Sequence, residues 1–356
     1  MSSSRFTELD GLRGIAAVLV LVTHYTLNFD VFFVEHQDLG FSFRYGGLGV
    51  NLFFMISGFV ILMSTRRYCN AGDFAVARFV RLYPTYWVCL ALTIAFVFGF
   101  RVTLLYRPLW ELAVNATMFQ SFVGVRDFDG VYWSLARELV FYILIGLALA
   151  FFRKVPEWLV TWGALAWSVG GLGLILLDRV VDSGFTQIIV AASVAQYAPL
   201  FGLGMLLHLK HAGGRLHPVF FVVQSILAVV NEGLVTNWQT GLLVGLVVAL
   251  FSATILKRDV PVLRWGVLTW LGAISYPLYL LHQNIGYVVM ERTVDYVGPW
   301  PARVLALTVA LLLAWAVHEL VEKRLSRRLH RRIKARRSAA EAVPAVQPTA
   351  PASEAG

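Results

Sequence analysis

Residues 9–25 read LDGLRGIAAVLVLVTHY, an apolar run with an arginine at position 13 and a histidine at position 24. Eight of the ten residues between Arg13 and His24 are Ile, Ala, Val or Leu. Such a run is typical of a helix that crosses the hydrocarbon core of a bilayer, which is about 30 Å thick. An ionisable side chain is costly there unless it is paired or hydrated, so both residues are candidates for function.

The rest of the chain has the same character. Of its 356 residues, 58% are hydrophobic and only 14% are charged, and the mean hydropathy is +0.69. A segment that crosses lipid must satisfy its backbone polar groups internally, and runs of this length do so as helices. We therefore predict an all-α, polytopic membrane helical bundle. Its ten spans lie at about 12–30, 47–64, 82–100, 133–151, 158–177, 186–208, 217–235, 239–256, 266–290 and 302–321.

The basic residues predict the orientation of this bundle. Ten spans place both termini on one side, and twenty-one of the thirty Lys and Arg residues lie on that side, which predicts cytoplasmic termini. Nine of the thirty lie between Lys323 and Arg337, which indicates a segment that contacts anionic lipid, not nucleic acid. The predicted domains are a membrane domain at 1–325, a basic juxtamembrane segment at 326–337 and a disordered tail at 338–356.

Two observations concern processing and metal binding. The segment before the first apolar run contains Glu8, Asp10 and Arg13 and no small-residue cleavage site, so we expect the first helix to be retained. The histidines at positions 208, 211 and 217 have spacings that match no zinc pattern, so we expect no metal site.

The spacing of Arg13 and His24 places both on one helix face. Eleven positions correspond to about 1100° of rotation, roughly 20° beyond three turns, and to about 16 Å along the axis. This geometry predicts one long ligand that is bound at its charged end by Arg13 and that reacts near His24. In the alternative interpretation, Arg13 extends to the interface and pairs with Asp10, and His24 bonds a neighbouring helix.

Residues 46–59, GGLGVNLFFMISGF, begin the second span. Gly47, Gly49 and Gly58 allow a neighbouring helix to approach closely, and Ser57 can donate a hydrogen bond within the bundle. Taken alone, this segment favours helix packing over chemistry.

Residues 77–87, ARFVRLYPTYW, place Arg78 and Arg81 three positions apart on the cytoplasmic side. Two guanidinium groups at this spacing can bind the phosphates of a nucleotide or of coenzyme A bidentately. Alternatively, they are the ordinary basic flank of an internal loop.

Two further segments place ionisable residues in the membrane. In WSLARELVFY, residues 133–142, Glu138 either orients an acceptor hydroxyl, holds His24 or neutralises an arginine of another helix. In SYPLYLLHQNIG, residues 275–286, His282 follows Pro277 by five positions, and a proline allows a kink there.

Taken together in this order, the five segments resemble the acyltransferase-3 family of bacterial integral-membrane O-acyltransferases. Arg13 and His24 resemble its Arg-x10-His motif, and GGLGVNLFFMISGF its second-helix signature. The later segments are similar to its Arg-x-x-Arg-x-x-Pro, Trp-Ser-Leu-x-x-Glu and Ser-Tyr-x-x-Tyr-x-x-His elements. The resemblance covers residues 8 to about 325. The chain departs from the family at VEKRL, where Arg324 stands at the position of a frequent proline.

The resemblance implies a reaction and its partners. Members transfer an acyl group, usually acetyl, from cytoplasmic acyl-coenzyme A to a hydroxyl. The hydroxyl is commonly on a sugar of a surface polysaccharide, lipopolysaccharide or other glycolipid, and sometimes on a small metabolite such as a macrolide or another glycoside. It implies acyl-CoA as a co-substrate without a permanently bound cofactor, a carbohydrate or glycolipid acceptor, and the bacterial inner membrane. Some members carry a fused hydrolase-like domain, and we expect this chain to act alone or with a separate partner protein.

The resemblance also assigns roles to residues. It makes Arg13 and His24 the essential pair, places Arg78 and Arg81 at the donor site, and includes Glu138 and His282. As a hypothesis, the three arginines bind the phosphates of coenzyme A and His24 takes the proton of the acceptor hydroxyl. An acyl-enzyme on His24 or Ser57 is an alternative route.

Two other function classes fit the composition. Ten helices with polar residues at depth suit a transporter, although the sequence has no internal duplication and no matching pair of broken helices. A non-catalytic subunit of a glycan export or assembly complex would bind a ligand without turnover. Replacing His24 separates these classes from a transferase.

Overall fold

The computed structural model describes residues 6–33, 39–68, 70–215, 217–257, 259–325 and 327–328. The predicted tail at 338–356 and nearly all of the basic segment at 326–337 lie outside these ranges. Within them the protein is all-helical. Its thirteen helices are α1 (Thr7–Phe32), α2 (Gly47–Thr65), α3 (Ala71–Gly99), α4 (Leu109–Asn115), α5 (Trp133–Phe152), α6 (Leu159–Val181), α7 (Gly184–Ala192), α8 (Ala198–His211), α9 (Pro218–Val235), α10 (Trp238–Lys257), α11 (Gly266–Ala273), α12 (Ser275–Val297) and α13 (Pro299–Leu325).

Eight of these helices are long and apolar enough to cross a membrane, which identifies a polytopic membrane bundle. They are α1, α2, α3, α5, α6, α9, α10 and α13. The sixth and ninth predicted spans are each divided into two helices, α7 with α8 and α11 with α12. Val194, between α7 and α8, has a positive φ of 56°, which a β-branched residue rarely adopts in a helix. Pro277 accounts for the second break, because its ring excludes a helical bond to the carbonyl of Ala273.

The second helix of each divided pair lies at the centre of the bundle. Every residue of α8 from Ala198 to Leu209 is buried, and so is every residue of α12 from Pro277 to Val288. α8 packs against α2, and α12 packs against α3 and α13. The polar residues of α12 are therefore surrounded by protein and not by lipid.

Close helix approach occurs at two of the three glycines predicted for it. A Cβ at Gly49 would meet the backbone of Ala16 in α1, and one at Gly58 would meet the backbone of Phe201 in α8. The packing prediction is therefore confirmed at these two positions. It is wrong for Gly47, because a Cβ there would have no neighbouring atom of the described residues within 4 Å.

Three membrane helices of the described chain contain a π-helical turn, and in α6 it spans Leu159–Gly163. In α1 it spans His24–Asn28, so the geometry changes at the histidine that the sequence singles out. In α13 it spans His318–Glu322. Such turns widen the helix locally and occur frequently at functional sites.

The long segment between α3 and α5 is anchored on α12. The carboxylate of Asp129 accepts the backbone N–H of Asn284 at 3.0 Å, and the Asn284 side chain donates to the Phe128 carbonyl at 2.8 Å. Asp129 and Asn284 are both buried. These contacts place the segment two residues from His282.

Candidate active site

A cavity of about 390 Å³ lies between α1, α2, α3, α5 and α12, a size typical of small-molecule sites. Five residues predicted from four sequence segments line it, namely Arg13, Ser57, Arg78, Arg81 and Glu138. Ser275, Tyr276 and Tyr279 of the fifth segment also line it, so the fold brings all five sequence motifs to one space.

One end of this cavity is strongly basic. Arg13, Arg78 and Arg81 line it together with Arg67, an exposed residue that follows α2. The buried Nε atoms of Arg13 and Arg78 have no hydrogen-bond partner in the described part of the chain. A buried cationic donor is costly without a partner, so the arrangement favours binding of an anion with several acceptor oxygens.

Aromatic side chains fix the position of Arg78. Its Nη2 donates to the Tyr68 hydroxyl at 2.8 Å. Its guanidinium carbon lies 5.6 to 5.9 Å from the ring centres of Tyr68, Phe74 and Tyr142. Cation–π contacts of this kind hold the guanidinium without using up all its N–H donors.

Arg81 is held by a residue that sequence reasoning did not select. Its guanidinium forms an ion pair with Glu322 and lies 5.7 Å from the Tyr276 ring centre. Glu322 belongs to the π turn of α13, is buried, and contacts His318 Nδ1 at 2.5 Å. Glu322 is the glutamate of the segment VEKRL, and the Val-Glu pair of that segment was the sequence signal that could have selected it.

Glu138 is held within the cavity by two hydroxyl groups. Its Oε1 accepts hydrogen bonds from Ser57 Oγ and from the Tyr142 hydroxyl, both at 2.7 Å. The sequence offered three roles for Glu138, one of which was to hold His24. No hydrogen bond in the described chain joins these two residues. Ser57 therefore uses its only hydroxyl proton for a carboxylate.

The end of the cavity opposite the arginines reaches Tyr279. The Tyr279 hydroxyl shares a hydrogen bond with Ser134 Oγ at 2.8 Å, and both residues line the cavity. The ring centre of Tyr279 lies 5.9 Å from that of His282. His24 and His282 do not themselves line the cavity, so Tyr279 connects it to them.

His24 and His282 form a direct side-chain contact. His24 Nδ1 lies 2.8 Å from His282 Nε2. His282 Nδ1 faces the carbonyl oxygens of Leu278 and Tyr279 at 3.1 and 2.9 Å. The sequence selects both residues but not their contact, because 258 positions separate them.

The carbonyl partners determine the tautomer of the pair. A carbonyl only accepts, so His282 Nδ1 carries a proton, and in the neutral ring His282 Nε2 is then an acceptor. His24 Nδ1 therefore donates to it, which leaves the lone pair on His24 Nε2. An imidazole with this nitrogen unprotonated is suited to act as a general base.

The remaining predicted residue, Asp10, does not line the cavity. Asp10 instead lies where α11 packs against α1. A Cβ at Gly272 of α11 would meet the backbone of Asp10. Among the described residues no group of three or more His, Cys, Asp or Glu side chains has an arrangement that would hold a metal ion.

Comparison with known proteins gives a consistent result. The sequence model of the family described as "Acyltransferase domain" matches residues 6–319. Acyltransferase MdmB of Streptomyces mycarofaciens is 27% identical, with 89% of this chain and 91% of that protein covered. Nodulation protein 10 of Rhizobium leguminosarum bv. viciae is 24% identical, with 89% and 93% covered. The O-acetyl transferase of Shigella phage Sf6 is 30% identical, with 42% and 48% covered.

No solved structure is significantly similar to the chain. The family match nevertheless includes all the residues of the cavity and the histidine pair. The chain therefore belongs to the acyltransferase-3 family, and it is a multi-pass membrane acyltransferase.

Proposed function

We propose that the protein transfers an acetyl group from cytoplasmic acetyl-CoA to a hydroxyl of a sugar in a surface polysaccharide, lipopolysaccharide or other glycolipid. The observation that carries the proposal is a cavity with four arginines at one end and, at the other, a tyrosine in contact with a histidine pair. The name of the Shigella phage relative, an O-acetyl transferase, supports acetyl as the transferred group.

The donor binds with its phosphates at the basic end. Arg13, Arg67, Arg78 and Arg81 pair with the diphosphate and the 3′-phosphate of coenzyme A. The pantetheine arm extends past Ser57 and Glu138, and the thioester lies near Tyr279. Acetyl-CoA is a co-substrate and leaves as coenzyme A.

The histidine pair removes the proton. His24 Nε2 takes it from the acceptor hydroxyl as the oxygen attacks the thioester carbonyl, the C–S bond breaks, and the thiolate then receives the proton from His24. His282 Nε2 accepts a hydrogen bond from His24 Nδ1 throughout and so stabilises the imidazolium. General-base catalysis of this kind is worth about two to four orders of magnitude in rate.

The proposed orientation follows from ten crossings with cytoplasmic termini in the bacterial inner membrane. The divided pairs α7–α8 and α11–α12 then supply the sixth and ninth crossings. Irregular backbone is tolerated at membrane depth where it is enclosed by protein, as α8 and α12 are. This orientation places the basic end of the cavity on the cytoplasmic side, where coenzyme A is available.

Inverted membrane vesicles test the proposal. Vesicles with wild type, His24→Ala or His217→Ala receive acetyl-labelled coenzyme A, and alkali-labile label is measured in the glycan and glycolipid fraction at matched protein amount. We expect label with wild type and with His217→Ala, whose exposed histidine precedes α9, and almost none with His24→Ala. Equal label with His24→Ala would exclude His24 as the base. No label with wild type would contradict acetyl-CoA as the donor.

A further inference from the structure

A second cavity, of about 320 Å³, lies where α5 begins and α6 ends. It is on the other face of α5 from the first cavity. Trp133 and Arg137 line the second cavity, whereas Ser134 and Glu138 line the first. The arginines of the first cavity lie at the opposite end of the bundle, so donor binding does not account for this second space.

Aromatic rings form the partition between the two cavities. The Trp133 and Tyr197 rings stack at 5.6 Å with an interplanar angle of 30°, and both residues line the second cavity. The Phe54 ring, which lines the first, lies 4.7 Å from the Tyr197 ring and 6.3 Å from the Trp133 ring. A ligand of the second cavity is thus one layer of side chains away from the first.

The polar groups of the second cavity are both donors and acceptors. The Arg137 guanidinium lies 5.8 Å from the Trp133 ring centre, and its buried Nη1 has no hydrogen-bond partner among the described residues. Asp178 accepts a hydrogen bond from Thr186, and Gln187 and Gln196 add amide groups. The Gln196 amide nitrogen donates to Glu232 at 2.9 Å, which orients that side chain.

This combination matches the chemistry of a sugar ring. Planar guanidinium, carboxylate and amide groups pair with adjacent hydroxyls, and an aromatic ring with a polar edge packs against the apolar face of the ring. The lining carries one positive and one negative side chain, which favours a neutral sugar over an acidic one.

We propose that the second cavity binds a neutral sugar ring of the acceptor, an inference that rests on the proposed transfer to a glycan. Tyr197 and Trp133 supply the packing surface, and Arg137 and Gln187 bind the hydroxyls. These four side chains determine which acceptor is used by binding one ring of it, and a neighbouring ring of the same acceptor extends past Phe54 to the donor thioester.

Cysteine protection measures occupancy without requiring turnover. Ala191 lines the cavity, is half-buried and is assigned no contact with the sugar, so it is replaced by cysteine in the full chain with Cys69→Ala and Cys89→Ala. The purified protein is labelled with a polar maleimide in the presence of the methyl glycosides of glucose, galactose, mannose or N-acetylglucosamine, or of methyl glucuronide. We expect at least one neutral glycoside to slow labelling fivefold or more. An unchanged rate with every neutral glycoside, or protection by the glucuronide alone, would overturn the proposal.

Further variants test which side chains bind the sugar. Arg137→Gln and Tyr197→Leu should abolish protection, and Tyr197→Phe, which keeps the ring, should retain it. Tyr83→Leu is the matched control, because Tyr83 packs on Trp87 at 5.5 Å in a similar ring pair that lines neither cavity. Protection that survives both Arg137→Gln and Tyr197→Leu would place the sugar elsewhere.

Methyl glycosides of disaccharides that contain the protecting sugar, used as acetyl acceptors, separate this inference from the proposed function. Protection without acetyl transfer would contradict the proposed reaction and leave the sugar site supported. Transfer with an unchanged KM for the glycoside in Tyr197→Leu would contradict the site and leave the reaction supported.

Discussion

His24 Nδ1 and His282 Nε2 lie 2.8 Å apart, and the remaining ring nitrogen of His282 faces two backbone carbonyls. The carbonyls fix the proton on His282 Nδ1, and the contact then fixes the proton of His24 on Nδ1. Only His24 Nε2 is left to accept a proton. In the proposed mechanism His282 is therefore a positioning residue for His24, comparable to the carboxylate that orients the histidine of a hydrolase triad.

Replacing His282 tests this role. His282→Ala should lower kcat by roughly 10²-fold with little change in the KM for acetyl-CoA, because loss of a residue that sets the histidine tautomer lowers kcat by up to about 10⁴-fold. His282→Gln should recover part of the activity, since its amide oxygen can accept from His24 Nδ1. Thiol release from acetyl-CoA by the purified enzyme gives both constants. A changed KM at unchanged kcat would show that His282 acts on donor binding instead.

The adjacent residues Arg66 and Arg67 form a matched pair. Both are exposed, but only Arg67 lines the cavity. Arg67→Ala should raise the KM for acetyl-CoA by up to about fivefold, the range expected for one exposed ion pair with a phosphate. Arg66→Ala should leave it within twofold of wild type. An equal effect of both variants would indicate a general influence of positive charge.

Ser57 distinguishes direct transfer from an acyl-enzyme. Its hydroxyl donates to Glu138, so Ser57→Ala should reduce kcat by roughly tenfold or less, as expected for one lost hydrogen bond. Initial-rate patterns should intersect, and intact-protein mass spectrometry after acetyl-CoA alone should show no added acetyl group. Acetylated Ser57, or parallel initial-rate lines, would establish the acyl-enzyme route instead.

Asp129 predicts a pH dependence of stability. Burial raises the pKa of this carboxyl from 3.8 to about 7, although the N–H groups of Asn284 and Val131 act in the opposite direction. A carboxyl with a pKa raised by folding stabilises the protein fully below its unfolded pKa and loses this contribution as the pH rises through about 7. At about 1.4 kcal/mol per pKa unit, the effect amounts to roughly 4 kcal/mol.

The neutral variant Asp129→Asn isolates this contribution. Its melting temperature in detergent, relative to that of wild type, should increase by several degrees between about pH 4 and pH 8. The comparison removes the titration of all other groups, which both proteins share. A constant difference across this range would show that Asp129 does not titrate there.

Gly58 and Gly47 offer a matched test of helix packing. Gly58→Leu would place side-chain atoms where the backbone of Phe201 lies, whereas Gly47→Leu would meet open space. Overpacking costs about 1–3 kcal/mol or more when the neighbour is backbone that cannot rotate away. We expect Gly58→Leu to lose the monodisperse peak in size-exclusion chromatography and Gly47→Leu to retain it. Equal behaviour would contradict the α2–α8 contact.

Several features of the fold follow from local sequence. The apolar run lengths predict the membrane helices that the structure contains, because crossing lipid as a helix depends on the residues of that segment alone. The two divided spans were less accessible to this reasoning. The break at Ile274 has a local signal in Pro277, whereas the break at Val194 is stabilised by the helices packed around it, and hydrophobicity does not report on those contacts.

The candidate site shows the same division. The sequence by itself determined the residue types and their order along the chain, including Arg13 and His24 on one helix and the paired arginines before Pro84. Only the tertiary structure decided which of them meet. It joined His24 to His282 and Arg81 to Glu322, and it turned Arg137 towards a different cavity from Glu138. These contacts depend on which faces of two helices pack together and on the distance between the helix axes. Close backbone contacts, such as that of Gly58 with Phe201, determine both.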